Sequence, residues 1–237
     1  MTPPFGVSPL FLGFLAAFVW IGVAGQGVAV WMGAGKDAPP ALIARTQLAA
    51  SAVQIVPVLL IAALACRLAQ VPRPTLGGAQ LVLHGAGWAV LLLPAVAAVG
   101  TVASAVSQAL GHPVDQSAHV LLKMIAGRES DAATRWMLIA GAVVAAPLLE
   151  ETCYRGLLQR GIARVLRSNL GAVVATSLIF ASMHIPVIPT DSLWPALTQV
   201  FALALVLGFV AARSGSVLPS MVVHATFNAV SIAVAVW

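Results

Sequence analysis

Apolar positions along this chain come in long, almost uncharged runs, separated by short polar breaks rich in Pro and Gly. Leu10–Trp31, Leu48–Cys66 and Leu81–Leu110 are the first three runs. Each is long enough for a helix rising roughly 1.5 Å per residue to cross a hydrocarbon core of about 30 Å. Leu81–Leu110 exceeds what one span needs, which predicts a tilted helix or one that continues beyond the membrane. The breaks are Gly33–Pro40, Arg67–Gly78 and the longer Gly111–Arg135, which holds His112, Asp115, His119, Lys123, Arg128, Glu129 and Asp131. Leu121–Ala126 within it reads as a short interfacial helix. Trp136–Tyr154, Leu170–Ile185, Trp194–Ala212 and the stretch from Pro219 to Trp237 supply four further spans. Unbroken apolar runs exclude the short alternating segments of an outer-membrane barrel. The fold class is therefore all-α: a polytopic transmembrane helix bundle of about seven spans, seven or eight by hydropathy.

Composition agrees. The 237 residues are 60% hydrophobic and 8% charged, against roughly 25% charged residues in a soluble domain. The net charge of +5 is spread over short loops, so it reads as topology and contact with lipid headgroups, and no nucleic-acid patch is present. Cys66 and Cys153 are the only cysteines, and they form neither a disulfide framework nor a CxxC pair. The first run lacks a basic leader and a clear cleavage site, and so reads as a retained helix. Abundant Ala, Val and Arg point to a bacterial chain in the inner membrane. Seven helices place Arg67, Arg73, Arg155, Arg160, Arg164, Arg167 and Arg213 on one side, and Lys36, Arg45, Lys123, Arg128 and Arg135 on the other. By the positive-inside rule the first side, with the N-terminus, is cytoplasmic. Residues 1–135 comprise N-terminal helices and the polar loop, and residues 136–237 carry the candidate chemistry, all in one membrane domain.

That chemistry starts at Glu150-Glu151, adjacent carboxylates ending an apolar run in a chain with only seven acidic residues. Ionisable groups inside a membrane mark functional sites by default, because insertion costs roughly 2.5 to 3.5 kcal/mol each. The plainer alternative is a helix reaching the interface, its Glu and Arg facing water. Glu151 and Arg155, Phe180 and His184, and His224 and Asn228 are all i,i+4 pairs, each on one face of its helix. With no water in the hydrocarbon, these faces turn toward one another, giving a cluster of Glu150, Glu151, Arg155, His184, His224 and Asn228. Plainer readings exist for each member. His184 could bond a backbone carbonyl at a helix end. The His224/Asn228 pair could be interhelical glue, and Phe180 and Cys153 packing. His84, His112 and His119 lack helical pairing to acids.

Two glutamates, two histidines and an asparagine suit activation of water against a carbonyl: a desolvated carboxylate as base, a histidine to orient water, and a His/Asn pair for the oxyanion. The same groups, Glu150, His184 and His224 first, could hold Zn²⁺ with a water site open. Spacing does not choose between the two, and the HExxH pattern is absent.

Glu150-Glu151-x-x-x-Arg155-Gly156, Phe180-x-x-x-His184 and His224-x-x-x-Asn228, in that order over residues 136–237, resemble the CAAX-protease and bacteriocin-processing family of intramembrane endopeptidases, whose eukaryotic branch comprises the type II CAAX prenyl endopeptidases. The resemblance implies Glu150 as the base that activates water, with His184 assisting. It implies His224 and Asn228 as oxyanion donors or metal ligands, and Glu151 paired with Arg155. The family has been read both as zinc enzymes and as metal-free, glutamate-dependent proteases, and the resemblance implies zinc or no cofactor. Its implied partners are membrane lipids and a peptide or membrane-protein substrate, lipidated or not, with oligomeric state left open. A non-catalytic bacteriocin-immunity or scaffold protein is the main alternative, and a transporter with a proton relay the lesser one. One expectation concerns depth. Glu150 lies about 21 Å along its run from Trp136, and His184 about 21 Å along a run that returns the other way. The helical spacing of Arg155, Arg160, Arg164 and Arg167 predicts that the fourth span continues past Arg160, which removes the mismatch.

Overall fold

Each apolar run folds as one helix in the computed structural model, which describes residues 8–35, 37–112, 114, 120–127 and 130–236. Lys36, Asp115, His119, Arg128 and Glu129 lie outside the described residues. The helices are α1 (Pro9–Met32), α2 (Pro40–Leu68), α3 (Gly78–Ala109), the short α4 (Val120–Ala126), α5 (Ala132–Leu166), α6 (Asn169–Ser182), α7 (Leu193–Ser214) and α8 (Leu218–Val236). Among the described residues there is no strand, and seven helices are long and apolar enough to cross a membrane. The protein is a multi-pass, all-α membrane protein.

Local chemistry sets most helix ends. Pro9 and Pro40 occupy first-turn positions, where a missing N–H costs nothing. The Asp131 carboxylate accepts the Thr134 N–H at 2.7 Å and Ser168 accepts the Gly171 N–H at 3.1 Å, both as N-caps. Gly33 and Gly215 close α1 and α7 with φ of 69° and 65°, a left-handed turn that glycine adopts without strain. Two boundaries differ from the hydropathy reading. α2 begins at Pro40, ahead of Leu48, because Arg45, Thr46 and Gln47 continue the helix while lowering its hydropathy. α6 stops at Ser182, short of Ile185, and a 3₁₀ turn over Ile185–Val187 follows, since a residue before proline avoids the α region.

α5 is the axis of the fold. It is continuous for 35 residues and runs past Arg160 as expected, so Glu150 lies near its middle. Two π-helical stretches, Gly141–Ala145 and Thr152–Gln159, flank the acidic pair. Every residue of the second stretch is buried. α1 and α2 pack together and against this stretch, α6 lies on α7, and α3 lies across α7 and α8. Leu10, Val58, Leu157, Phe180 and Ala204 belong to the core that these helices share. Small residues permit the closest approaches. A Cβ on Gly85 would fall 2.6 Å from the Val222 Cβ and 2.9 Å from the Pro219 carbonyl oxygen, so α3 meets α8 almost backbone to backbone. Leu60, Val90, Leu91 and Leu170 are exposed on the outer surface, as lipid contact requires.

Spans joined by short loops alternate in direction, so two faces are defined. Arg67, Arg73, Arg160, Arg164, Arg167 and Arg213 lie toward the loops at 69–77, 167–168 and 215–217, with no Asp or Glu among the described residues there. Asp37, Asp131 and Asp191 lie toward the opposite loops. Arg155, grouped with the first face by sequence, is instead 1% exposed in the middle of α5.

Candidate active site

The site is built outward from Glu151, whose side chain is fully buried. One turn along α5, Arg155 donates from Nη1 to Glu151 Oε1 at 3.0 Å and from Nη2 to the Ala204 carbonyl of α7 at 3.2 Å. Its guanidinium lies 4.5 Å from the centroid of the Phe180 ring on α6, a cation–π contact strengthened by the absence of water. From α8, His224 places Nδ1 3.0 Å from the same Glu151 oxygen. A carboxylate oxygen only accepts there, so Nδ1 carries the proton, and Glu151 fixes both the tautomer and the ring plane. One buried carboxylate therefore holds α5, α7 and α8 in register. Removing Arg155, its cationic partner, would leave it uncompensated, the costly case for a buried charge.

Glu150 is one residue earlier and so about 100° around the helix. Its side chain is 32% exposed, and a carboxylate oxygen sits 3.9 Å from His224 Nε2. The His224 ring thus lies between two carboxylates with different surroundings: one bonded and fully enclosed, the other within reach but open.

Phe180 is the packing centre of the cluster. Its ring stacks edge-on to Tyr154 with centroids 5.1 Å apart, and lies 4.7 Å from the His184 ring and 6.1 Å from that of His224. The Phe180 carbonyl accepts from His184 Nδ1 at 2.9 Å, which leaves Nε2 of that ring as the free, basic nitrogen. The bond to a helix-end carbonyl is the plainer role open to His184 from sequence, and it also orients the ring.

Asn228 donates from Nδ2 to the Ala142 carbonyl at 2.8 Å, for a reason found in the π-turn. The N–H of Ala146 reaches back five residues to the Gly141 carbonyl. In that register the next donor would be residue 147, which is Pro147 and has no N–H. The Ala142 carbonyl is then orphaned inside the bundle, and Asn228 satisfies it with one of its two amide hydrogens. His184 and Asn228 both line an apolar cavity of about 220 Å³ with Gln199, Phe227 and Ile188. That cavity lies toward the face opposite the arginines, its wall including Val114, Ile125 and Ser192.

Glu150, Glu151, Arg155, Phe180 and His224 are thus joined by direct contacts, while His184 and Asn228 flank them at the cavity. Among the described residues no three His, Cys, Asp or Glu side chains converge as metal ligands. Glu150, His184 and His224 do not form such a group, and two of the four imidazole nitrogens are already committed to Glu151 and the Phe180 carbonyl. The donor set as arranged does not fit zinc, and no step is derived through it. Two contributors escaped the sequence reading. Gln159 donates to the Gly208 carbonyl at 2.9 Å, and Ser220, fully buried, donates to the Val217 carbonyl at 2.8 Å. Both extend i,i+4 stripes already in view, 151–155–159 on α5 and 220–224–228 on α8, and that spacing was the signal for them. Tyr154 also packs on Phe14 of α1 at 5.9 Å, which ties the first helix to the site.

No curated protein and no solved structure matches the chain. Residues 132–230, which contain every member of this cluster, match the family model described as Type II CAAX prenyl endopeptidase Rce1-like. Over that stretch the chain is similar to the CAAX-type intramembrane proteases, as the three motifs indicate.

Proposed function

We propose that this protein is an intramembrane endopeptidase that hydrolyses a peptide bond near the membrane surface with water activated by Glu150. The supporting observation is the contrast between the paired carboxylates. Glu151 is enclosed and bonded to Arg155 and His224, whereas Glu150 is partly open and 3.9 Å from the free nitrogen of the same histidine. A carboxylate in low dielectric with access to water is suited to general-base work.

In this reading Glu150 takes a proton from water as the oxygen attacks the scissile carbonyl, with His184 Nε2 orienting that water. The remaining Asn228 N–H faces the oxyanion, where a preorganised donor acts most strongly, and the His224 ring lies beside Glu150 at the same site. The proton held by Glu150 then passes to the leaving amine, and the carboxylate is regenerated. Glu151 acts as a positioning residue through His224. The apolar cavity beside His184 and Asn228 favours a substrate with apolar side chains or a lipid chain. On charge alone, the arginine face and the N-terminus are cytoplasmic in a bacterial inner membrane.

The test is turnover of a quenched prenylated CAAX peptide, then of a broader peptide set, by purified wild type, Glu150→Gln and His184→Ala, each with and without phenanthroline. Cleavage by wild type alone supports the reading, and chelator sensitivity reports on metal. Equal inactivity of all three across the peptide set favours the immunity or scaffold alternative. Orientation is tested separately. Labelling of Thr75→Cys by an impermeant maleimide in intact cells would reverse it and leave the protease reading intact.

A further inference from the structure

A second cavity, of about 500 Å³, opens where α2, α5 and α7 end on the arginine face. Arg73, Arg155, Arg160, Arg164 and Arg213 line it, and no Asp or Glu does. Of the five, only Arg155 has a carboxylate partner among the described residues, at Glu151. Arg160 donates to the Gly215 carbonyl at 3.0 Å and Arg164 to the Ala69 carbonyl. These bonds fix both side chains at the rim and leave their charge uncompensated. Arg73 and Arg213 are exposed and make no hydrogen bond or ion pair among the described residues. The floor is polar and buried: Arg155 is 1% and Gln159 5% exposed, and Arg155 Nε and Gln159 Oε1 have no hydrogen-bond partner among the described residues.

Four guanidinium groups without a carboxylate partner among the described residues, Arg73, Arg160, Arg164 and Arg213, surround one concavity, repel one another and focus a positive potential into it. A bound anion relieves that repulsion, and the planar donor fork of arginine matches phosphate oxygens. The cavity sits where helices give way to loops, the depth of lipid headgroups, and anionic lipids are drawn to basic clusters there. We propose that this cavity is a phosphate-binding site that takes the phosphodiester headgroup of an anionic lipid. The site is separate from the His184/Asn228 cavity and does not depend on the chain being a protease.

The experiment uses the full-length protein in neutral detergent, with binding of short-chain phosphatidylglycerol, phosphatidylcholine and inorganic phosphate read by native mass spectrometry. Wild type binds phosphatidylglycerol at least about tenfold more tightly than phosphatidylcholine, and Arg73→Gln/Arg213→Gln loses about tenfold of that affinity, since charge-assisted bonds to phosphate are worth more than neutral ones. The thermal midpoint of that variant in lipid-free detergent stays at the wild-type value, because neither arginine has a partner among the described residues. If it falls, Arg73→Lys/Arg213→Lys replaces it, and that pair retains charge-driven binding with reduced preference for phosphate geometry. Inorganic phosphate that displaces the lipid at millimolar concentration reassigns the source to a soluble phosphate; failure to displace it assigns the lipid. Equal affinity of wild type and both variants for phosphatidylglycerol, or no preference over phosphatidylcholine, overturns the proposal.

Discussion

The two cavities at the ends of the α5 cluster share helices α5 and α7 and differ in almost everything else. The one beside His184 and Asn228 is about 220 Å³ and walled mainly by apolar side chains. The one beside Arg155 and Gln159 is about 500 Å³ and carries five arginines. Between them stands a single bonded network, Arg155–Glu151–His224. Arg155 reaches the basic cavity, and the open carboxylate of Glu150 adjoins the other end of the network. The difference teaches that one run of polar residues on one helix can serve two environments. The enclosed groups fix geometry, and the groups at each end meet what enters.

The sharpest way to break this comparison is to neutralise the two carboxylates separately. Glu150→Gln lowers peptide turnover by about 10²–10⁴-fold, the usual worth of a positioned general base, and leaves the thermal midpoint unchanged. Glu151→Gln shifts the midpoint as well, and identical effects of the two changes on stability would end the division of roles. Next in size is Arg155→Met, which strands the fully buried Glu151 carboxylate. Breaking a buried pair in this way costs about 3–5 kcal/mol, read as loss of folded protein in detergent melts. The apolar side is probed more gently by Asn228→Ala. It leaves the Ala142 carbonyl without a donor and costs on the order of 1 kcal/mol, the scale of polar contacts between membrane helices, together with a fall in turnover. The smallest effect lies outside the spans. The backbone N–H of Thr134 holds the Asp131 carboxyl below its ordinary value. Its folded pKa is depressed, so its stabilising effect is present above the unfolded value and lost as pH falls through the folded one. A wild-type midpoint that drops relative to Asp131→Ala as acid is added checks that sign.

Much of this was legible in one dimension, residue by residue. The i,i+4 spacing of 151/155 and 224/228 put each pair on one helix face, and the structure finds Glu151 bonded to both Arg155 and His224. The arginines at 155, 160, 164 and 167 indicated that α5 runs on, and it does, to Leu166. What spacing could not supply was the partner of each polar atom. Nothing in the sequence pairs Asn228 with Ala142, since that bond arises only where a π-turn meets Pro147. Nor does anything in it gather Arg73, Arg160 and Arg213 around one cavity, because they come from three separate chain segments.

The sequence by itself determined that this is a helical membrane protein of about seven spans, seven or eight, with its ionisable groups concentrated on a few helix faces. The physical reason is that a bilayer admits only hydrogen-bonded helices or closed barrels and penalises every charge it encloses. The tertiary structure alone decided which of two adjacent carboxylates is locked and which is open. A step of about 100° around one helix turns Glu151 into the bundle toward Arg155 and His224, and leaves Glu150 at its edge. That outcome depends on where α7 and α8 lie, not on the residues' place in the chain.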